Sequence, residues 1–389
     1  MHEFRERDVN PGRSPKDRMQ ASSATCRDIA TAYARHAPPT FALDLRLGET
    51  RVHVRSNAAA LIDALIDHYR DFLDDAGSPD IVVTALDGSP PSFALPFALP
   101  DGGDEAAKED VLDLPDGRVV RKRRTGIWLV FGPGGHYVLG PCRDNVDQVI
   151  NAVNARCEDR EMRAGALLLH AAGVCLGRTG LAIAGLAGAG KSTLALHVMG
   201  QDGQGAAFVS NDRLLVGPGP SGLVMTGLAR MPRVNPGTIL HNAALAPLLS
   251  AADRAAYARL DPEDLWRVER KYDVRIRDCF GPDRFRLRAG LKALVVLCWR
   301  RGGGETRAAW TTLRARADLL PALMKDVGVF LEAGPRRAVA TDYLSLLDAC
   351  PVLVLEGGVD FLRAAALCRE LLAPPQGAGT SAAPACCDA

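Results

Sequence analysis

Residues 185 to 193 read GLAGAGKST and match the phosphate-binding pattern G-x-x-x-x-G-K-[ST] at every fixed position. The glycines let the backbone bend until several N–H groups point at one phosphate chain. Lys191 adds a positive charge, and the hydroxyl of Ser192 can bind Mg²⁺. The pattern therefore predicts a site for ATP and Mg²⁺. We expect the nucleotide to be bound by Gly185, Gly188, Ala189, Gly190, Lys191, Ser192 and Thr193.

The sequence on either side of the loop supports this interpretation. Residues 181 to 184 (LAIA) form a short apolar run suited to a buried strand, and residues 193 to 199 (TLALHVM) continue as a helix. A helix N-terminus favours anions. A glycine-rich turn that matches the pattern by chance need not lie between a strand and a helix. The order of strand, loop and helix therefore favours nucleotide binding.

Length and composition restrict the class of protein but do not identify a substrate. The chain has 389 residues, 47% of them hydrophobic, and a formal net charge of +1. These values predict globular domains with no general attraction to nucleic acid. No apolar run approaches 18 residues, the N-terminus lacks the apolar core of a signal peptide, and the ten cysteines form no C-x-x-C pair. We expect a cytoplasmic protein with no membrane partner. The basic run at 121 to 124 (RKRR) fits a solvated turn or strand face better than a phosphate-binding patch.

The chain divides by composition into two domains and two tails. The predicted limits are a disordered tail at 1–22, a smaller α+β domain at 23–163, a P-loop domain with a mixed sheet at 164–373, and a second disordered tail at 374–389. The overall class is α/β. In the first domain we predict a hairpin from Phe41, helices at 58–73 and 146–163, and a long surface loop at 89–110. Further strands are expected at 80–86, 118–120, 127–131 and 137–139.

Alternating strands and helices are expected in the second domain. The predicted strands are 166–176, 181–184, 207–210, 214–216, 223–225, 294–299 and 352–355. The predicted helices are 193–199, 238–260, 313–324, 343–348 and 359–372.

A phosphate-binding enzyme also needs an acidic residue at the end of a neighbouring buried strand. Only AAFVSNDR offers one convincingly, with Asp212 shortly after the apolar Phe208 and Val209. The more hydrophobic strand LKALVVLCWRR ends in Trp299 and two arginines instead. We therefore predict Ser192 and Asp212 as the metal ligands, with Asp212 also catalytic. The plain alternative is that Asp212 only caps a turn.

This constellation resembles HPr kinase/phosphorylase and its relatives, and most closely the subgroup called HprK-related kinase B. LLLHAAGV places His170 fifteen positions before Gly185, and VSND stands where the family has two adjacent aspartates. The segment VMTGLARMPRVNPGTIL, which contains Arg233, is similar to a glycine-containing family segment that ends in Asn. The segment RLRAGLKALVVL is more faintly similar to an Arg-Pro-Gly segment.

The resemblance implies an HPr-kinase-like phosphotransferase with His170, Asp212 and Arg233 as catalytic residues. Lys191 and Ser192 would bind the β- and γ-phosphates and Mg²⁺. Asn211 replaces the first family aspartate and cannot accept a proton, so we expect a kinase that runs in one direction. Each residue also has a plain role open to it, because His170 can end a strand and the prolines beside Arg233 can be structural.

The leading hypothesis is an ATP-dependent kinase that transfers the γ-phosphoryl group to a hydroxyl of an unidentified protein or small molecule. A nucleotide-dependent switch or scaffold and a simple P-loop ATPase remain as alternatives. The sequence leaves the acceptor and the oligomeric state open, a homo-oligomer included.

Overall fold

The computed structural model describes residues 24–35, 38–100, 107–200, 205–331 and 337–374. They form two compact units. The first contains the described residues up to Ala166 and those of Asp326–Ala338, and the second contains the rest. The described residues among 326–338 thus cluster with the first unit, whereas the predicted domain limits assign this stretch to the second domain. The predicted tail at 1–22 and all but the first residue of the tail at 374–389 lie outside the described residues.

The first unit is a seven-stranded mixed sheet with three α-helices among its described residues. The strand order is β1-β2-β3-β7-β6-β5-β4, and only the β2–β3 and β3–β7 pairs are parallel. The strands are β1 (Phe41–Leu47), β2 (Thr50–Ser56), β3 (Ile81–Asp87), β4 (Glu109–Leu114), β5 (Gly117–Lys122), β6 (Trp128–Gly132) and β7 (Gly135–Gly140). The helices are α1 (Cys26–Ala34), α2 (Ala59–His68), α3 (Val146–Arg163) and a 3₁₀ turn at Arg143–Asn145.

The predicted surface loop at 89–110 is only partly a surface loop. Its last residues belong to β4, and Phe93, Leu95 and Phe97 pack against the core around Trp128. The ring centroids of Phe97 and Trp128 lie 4.9 Å apart. Apolar residues at every second position give this extended segment one apolar face, which the prolines in the sequence conceal. Residues 101–106 lie outside the described residues.

The basic run at 121–124 is largely neutralised by acidic residues of β4. Arg121 and Arg123 both pair with Asp110 at 2.6 Å, and Lys122 pairs with Glu109 at 2.7 Å. The pKa of Asp110 stays below its usual value although burial opposes this, because the two guanidinium groups donate hydrogen bonds to it. The run therefore belongs to a strand pair, as its position between two predicted strands indicates.

The second unit contains a nine-stranded mixed sheet among its described residues. The path is β11-β9-β10-β16-β13-β12-β8, with β18 also beside β16 and β17 beside β18. The strands are β8 (Leu167–Leu169), β9 (Ala171–Leu176), β10 (Thr179–Gly185), β11 (Ala207–Ser210), β12 (Leu214–Gly219), β13 (Gly222–Thr226), β16 (Arg288–Leu297), β17 (Arg307–Thr311) and β18 (Val352–Glu356). A separate pair consists of β14 (Arg233–Val234) and β15 (Tyr272–Asp273).

Short helices connect many of these strands. They are α4 (Lys191–Gly200), α5 (Pro236–Leu240), α6 (Ala251–Tyr257), α7 (Pro262–Arg267), α8 (Ile276–Phe280), α9 (Leu320–Leu323), α10 (Ala340–Leu346), α11 (Phe361–Leu372) and 3₁₀ turns at Ala243–Leu248 and Ala317–Leu319. In the middle of the sheet β10 runs parallel to β16, and β16 runs parallel to β18. The carboxyl ends of these three strands therefore lie at one edge, which is where the phosphate loop begins.

Two predicted helices are wrong in extent. The segment 238–260 is not one helix, because Asn242 and Ser250 cap new helical segments through their side chains. A proline at 247 also removes a backbone donor from the middle of the segment. The segment 313–324 is helical only over Ala317–Leu319 and Leu320–Leu323. Both segments have apolar residues at helical spacing, but capping residues and prolines interrupt the helices.

The predicted strand at 166–176 is in fact two strands that meet at His170. β8 pairs with β12, whereas β9 pairs with β10 and β11. At the break, the backbone N–H of His170 donates to the carbonyl of Leu323 at 2.7 Å. His170 therefore lies where the chain changes its strand partners.

In the described ranges, which lack residues 1–23, 36–37, 101–106, 201–204, 332–336 and 375–389, no helix is long and apolar enough to cross a membrane.

Candidate functional site

The phosphate loop joins β10 to α4, as the sequence predicts. β10 ends at Gly185 and α4 begins at Lys191. Gly188 and Gly190 have φ angles of +79° and +93°, which side chains disfavour. The first N–H groups of α4 lack partners within the helix, as at every helix N-terminus, and they favour an anion there. The loop thus has the backbone form that a phosphate chain requires.

An aromatic cluster supports the loop from one side. The indole Nε1 of Trp299, which follows β16, donates to the carbonyl of Ala189 at 2.9 Å. The ring of Phe361, the first residue of α11, lies 5.1 Å from that of Trp299 and also stacks on His197. A Cβ atom at Gly190 would lie only 2.6 Å from the Phe361 ring. Trp299, just after β16, therefore supports the loop and supplies no carboxylate.

Lys191 is buried and its ammonium turns back onto the loop. Its Nζ donates to the carbonyl of Gly185 at 2.9 Å and to that of Leu186 at 3.3 Å. Burial lowers the pKa of Lys191, Asp212 opposes this change, and the nearby charge of Lys325 lowers the pKa further. A phosphate anion offers the ammonium stronger acceptors than two neutral carbonyls do.

Ser192 and Thr193 are hydrogen-bonded to other parts of the unit. The hydroxyl of Ser192 donates to Oδ1 of Asn211. The hydroxyl of Thr193 lies 2.8 Å from that of Thr238 on α5. The structure therefore brings Asn211, and not Asp212, directly to Ser192.

Asn211 and Asp212 occupy a tight turn after β11. Arg213 N donates to the carbonyl of Asn211 at 2.7 Å, and Ser210 Oγ donates to the carbonyl of Arg213. Asp212 has a φ of +64°, a left-handed conformation that Asp tolerates better than most residues. Such a conformation at a polar residue is typical of functional sites.

The Asp212 carboxylate has a basic partner on each of its oxygens. His170 Nε2 lies 2.9 Å from Oδ1, and Lys325 Nζ lies 2.7 Å from Oδ2. His170 comes from the break between β8 and β9, and Lys325 follows α9. We call His170, Lys191, Asp212 and Lys325 the ionic cluster, because the charges of all four influence one another.

The pKa shifts define the charge of the ionic cluster. Burial lowers the pKa of His170, and the charge of Lys191 acts in the same direction, while Asp212 opposes them. The lowered pKa favours the neutral imidazole, whose Nε2 lies within hydrogen-bond distance of Asp212 Oδ1. Burial raises the pKa of Asp212, but the hydrogen bond and charge of Lys325 outweigh this and leave it below its ordinary value. Two ammonium groups and one carboxylate leave the four side chains with a net positive charge.

Arg233 is exposed and lies on β14, a strand that contacts α4. Its Nε pairs with Asp273 at 3.2 Å across the β14–β15 pair, and 60% of its side chain is exposed. The guanidinium of Arg233 thus has an acidic partner on β15, and its catalytic role stays a prediction. Lys325, which sequence reasoning missed, is the cation that lies beside Asp212. No local pattern marks it, since it stands 113 positions from Asp212 in the chain.

The residues present fit ATP with Mg²⁺. Mg²⁺ prefers oxygen ligands in octahedral geometry and takes several of them from water and phosphate. Ser192, Asn211 and Asp212 bring a hydroxyl, an amide oxygen and a carboxylate near the start of α4. Across the described part of the chain, no three His, Cys, Asp or Glu side chains form a metal cluster. This donor set therefore suits a cation that arrives with a nucleotide better than a permanently bound metal.

Comparison with known proteins adds little to this geometry. No protein-family model matches the sequence. No curated protein matches it either. Among solved structures, the HPr(Ser) kinase/phosphatase from Coxiella burnetii is similar over 52% of this chain and 88% of that chain. The sequence identity is 12% and the TM-score is 0.26. A likeness at this level carries no argument about activity, so the function rests on the site.

Proposed function

We propose that this chain is an ATP-dependent kinase that transfers the γ-phosphoryl group of ATP to a hydroxyl of a protein or small molecule. The proposal includes membership of the HPr-kinase-like class, closest to HprK-related kinase B, and a cytoplasmic location. The observation that carries it is the ionic cluster, in which a carboxylate with two basic partners lies close to a phosphate loop.

Phosphoryl transfer requires mainly positioning and neutralisation of charge. When bound, Mg²⁺ would neutralise part of the phosphate charge. Lys191 and the N-terminus of α4 attract the phosphates. The side-chain oxygens of Ser192 and Asn211 would be ligands for Mg²⁺ at the same place. Asp212 is the carboxylate placed to accept the proton of an attacking hydroxyl. Asn211 cannot do this, because an amide does not bind a proton at neutral pH.

One observation favours the alternative of a nucleotide-dependent switch. Both oxygens of Asp212 have basic partners, and a carboxylate paired in this way is a weaker base than a free one. A switch would bind ATP and turn over slowly, whereas a simple ATPase would release free phosphate. A kinase consumes ATP in proportion to phosphorylated product.

The first experiment tests nucleotide binding. Titration calorimetry of the full chain with ATP and Mg²⁺ should show binding, and Lys191→Ala should weaken it by about a hundredfold or more. Lys292→Ala is the matched control, since Lys292 lies on β16 and donates to the carbonyl of Leu371. Equal binding by the two variants would refute the assignment of the loop.

The second experiment identifies the acceptor class. The chain is incubated with γ-labelled ATP and whole-cell extract, and the label is followed into protein bands, small-molecule spots and free phosphate. Label in a protein or small molecule that is absent with Lys191→Ala supports the kinase. Label found only in free phosphate supports the ATPase, and bound ATP without turnover supports the switch.

A further inference from the structure

The surroundings of Lys325 suit a lysine whose ammonium pairs first with one anion and then with another. Its Nζ lies 2.7 Å from Oδ2 of Asp212, and its side chain is 24% exposed. Asp212 is also bonded to His170. The Lys325 side chain is therefore mostly buried and has a carboxylate partner, but part of it stays in contact with solvent.

The backbone before Lys325 is held at the strand break. His170 N donates to the carbonyl of Leu323, and Met324 forms a β-bridge with Leu169. These backbone contacts place Lys325 beside Asp212 independently of its own side chain. The ammonium can then change partners while the chain that carries it stays in place.

The charges of the ionic cluster favour an incoming anion. Lys191 and Lys325 are two cationic side chains, and Asp212 is the carboxylate that pairs with Lys325. One positive charge is left without a counterpart inside the cluster. The hydrogen-bond acceptors of Lys191 among the described residues are two neutral carbonyls of its own loop. A phosphate group would neutralise this excess and give both lysines charged acceptors.

We propose that Lys325 pairs with Asp212 before nucleotide binds and moves to the γ-phosphate of bound ATP. This inference rests on the proposed function and gives Lys325 a role in neutralising the γ-phosphate charge, in addition to the catalytic residues that the resemblance implies. The move releases Oδ2 of Asp212 at the moment when a base is needed.

The transfer step then balances within the site. The acceptor hydroxyl oxygen forms a bond to the γ-phosphorus, and its proton goes to Asp212. The bond between the γ-phosphorus and the bridging oxygen breaks, and ADP leaves with that electron pair. Lys325 neutralises negative charge on the transferred group. Lys191 and the N-terminus of α4 also face that charge.

The test compares two nucleotides that differ only at the γ-position. Dissociation constants for ADP and for a non-hydrolysable ATP analogue, both with Mg²⁺, are measured by calorimetry for the wild type, Lys325→Met and Lys325→Arg. Lys325→Met should weaken the ATP analogue by about tenfold and ADP by less than about twofold. Lys325→Arg keeps the charge and should keep the preference for the ATP analogue. Lys292→Met is the control and should match the wild type.

Each outcome decides a different point. If Lys325→Met weakens both nucleotides equally, Lys325 has only a structural role and the proposal is overturned. If Lys325→Met changes neither constant, Lys325 does not contact the γ-phosphate and the proposal is likewise overturned. If the wild type binds neither nucleotide, the proposed function itself fails, and this inference fails with it. If Lys325→Met does not fold, Lys325→Arg still provides a test. Loss of the preference for the ATP analogue in a folded Lys325→Arg variant also overturns the proposal.

Discussion

The indole nitrogen of Trp299 donates a hydrogen bond of 2.9 Å to the carbonyl of Ala189, inside the phosphate loop. Trp299 lies just after β16, the strand that runs parallel to β10, and a P-loop ATPase would place an acidic residue at the end of such a strand. Trp299 therefore supports the loop, and Asp212 after β11 stays the predicted acidic residue of the site. Substitution of Trp299 can test how much this hydrogen bond contributes to the loop.

Trp299→Phe should weaken the loop without removing the aromatic ring beside Phe361. Loss of one buried hydrogen bond should lower the free energy of unfolding by about 1 kcal/mol and raise the dissociation constant for ATP about fivefold. Denaturant unfolding and calorimetry measure the two quantities. Trp310→Phe is the control, because Trp310 is exposed on β17. The same small effect in both variants would show that the bond does not position the loop.

Gly190→Ala should abolish most ATP binding. The residue has a φ of +93°, and the added Cβ would overlap the ring of Phe361, so the loop must move. We expect more than about a tenfold loss of ATP affinity. Gly304→Ala separates strain from overlap, because Gly304 has a φ of +79° with open space around it. That control should lose about 1 kcal/mol of stability and keep its ATP affinity. Normal binding by Gly190→Ala would contradict the close contact.

Asp212→Asn should lower phosphoryl transfer by about a hundredfold or more, because an amide cannot accept the proton of the acceptor. Binding of ATP should change by less than about threefold, since the loop itself is intact. The label-transfer assay and calorimetry measure these effects. Asp283→Asn is a matched control, because Asp283 is the other described residue besides glycine with a positive φ. Near-normal transfer by Asp212→Asn would direct the search to another carboxylate.

The pKa of His170 should respond with opposite signs to the loss of its two charged neighbours. Lys325 lowers this pKa and Asp212 raises it. Lys325→Met should therefore raise the pKa of His170, and Asp212→Asn should lower it. Both values can be followed by NMR titration of the imidazole in isotope-labelled protein. Shifts of the same sign in the two variants would show that the three side chains do not form one electrostatic unit.

His136 should make stability fall with acid. Burial, with a smaller effect from the charge of Arg156, lowers the pKa of His136 to about 4, and its Nδ1 has no hydrogen-bond partner among the described atoms. In the unfolded chain this pKa is near 6.5, so below that pH the unfolded state binds the proton first. Stability is fully present above pH 6.5 and is lost as the pH falls toward 4.

The expected loss between pH 7 and pH 5 is about 2 kcal/mol from this residue. Urea unfolding at both pH values measures it, with His136→Asn as the reference that lacks the titration. Other acidic groups act on both proteins, so the difference between them isolates His136. Equal pH dependence in the two proteins would contradict the lowered pKa.

Local features of the fold could be predicted from the sequence. The phosphate loop, its strand and its helix follow from nine consecutive residues, because backbone freedom at glycine and the strand and helix patterns act over short distances. The helix Val146–Arg163 and the hairpin from Phe41 follow from equally local periodicity. Asp212 was found because it directly follows a buried strand.

Tertiary structure alone decided which of these side chains meet. Lys325 reaches Asp212 across 113 positions, and Trp299 reaches Ala189 across 110. The backbone contact of His170 with Leu323 divides a continuous apolar run into two strands, while Arg233 turns to Asp273. Strand order and loop closure set such pairings, and neither leaves a periodic pattern in the residues involved. The sequence therefore determined the phosphate loop, and the packing of distant segments decided which cation lies beside the acid.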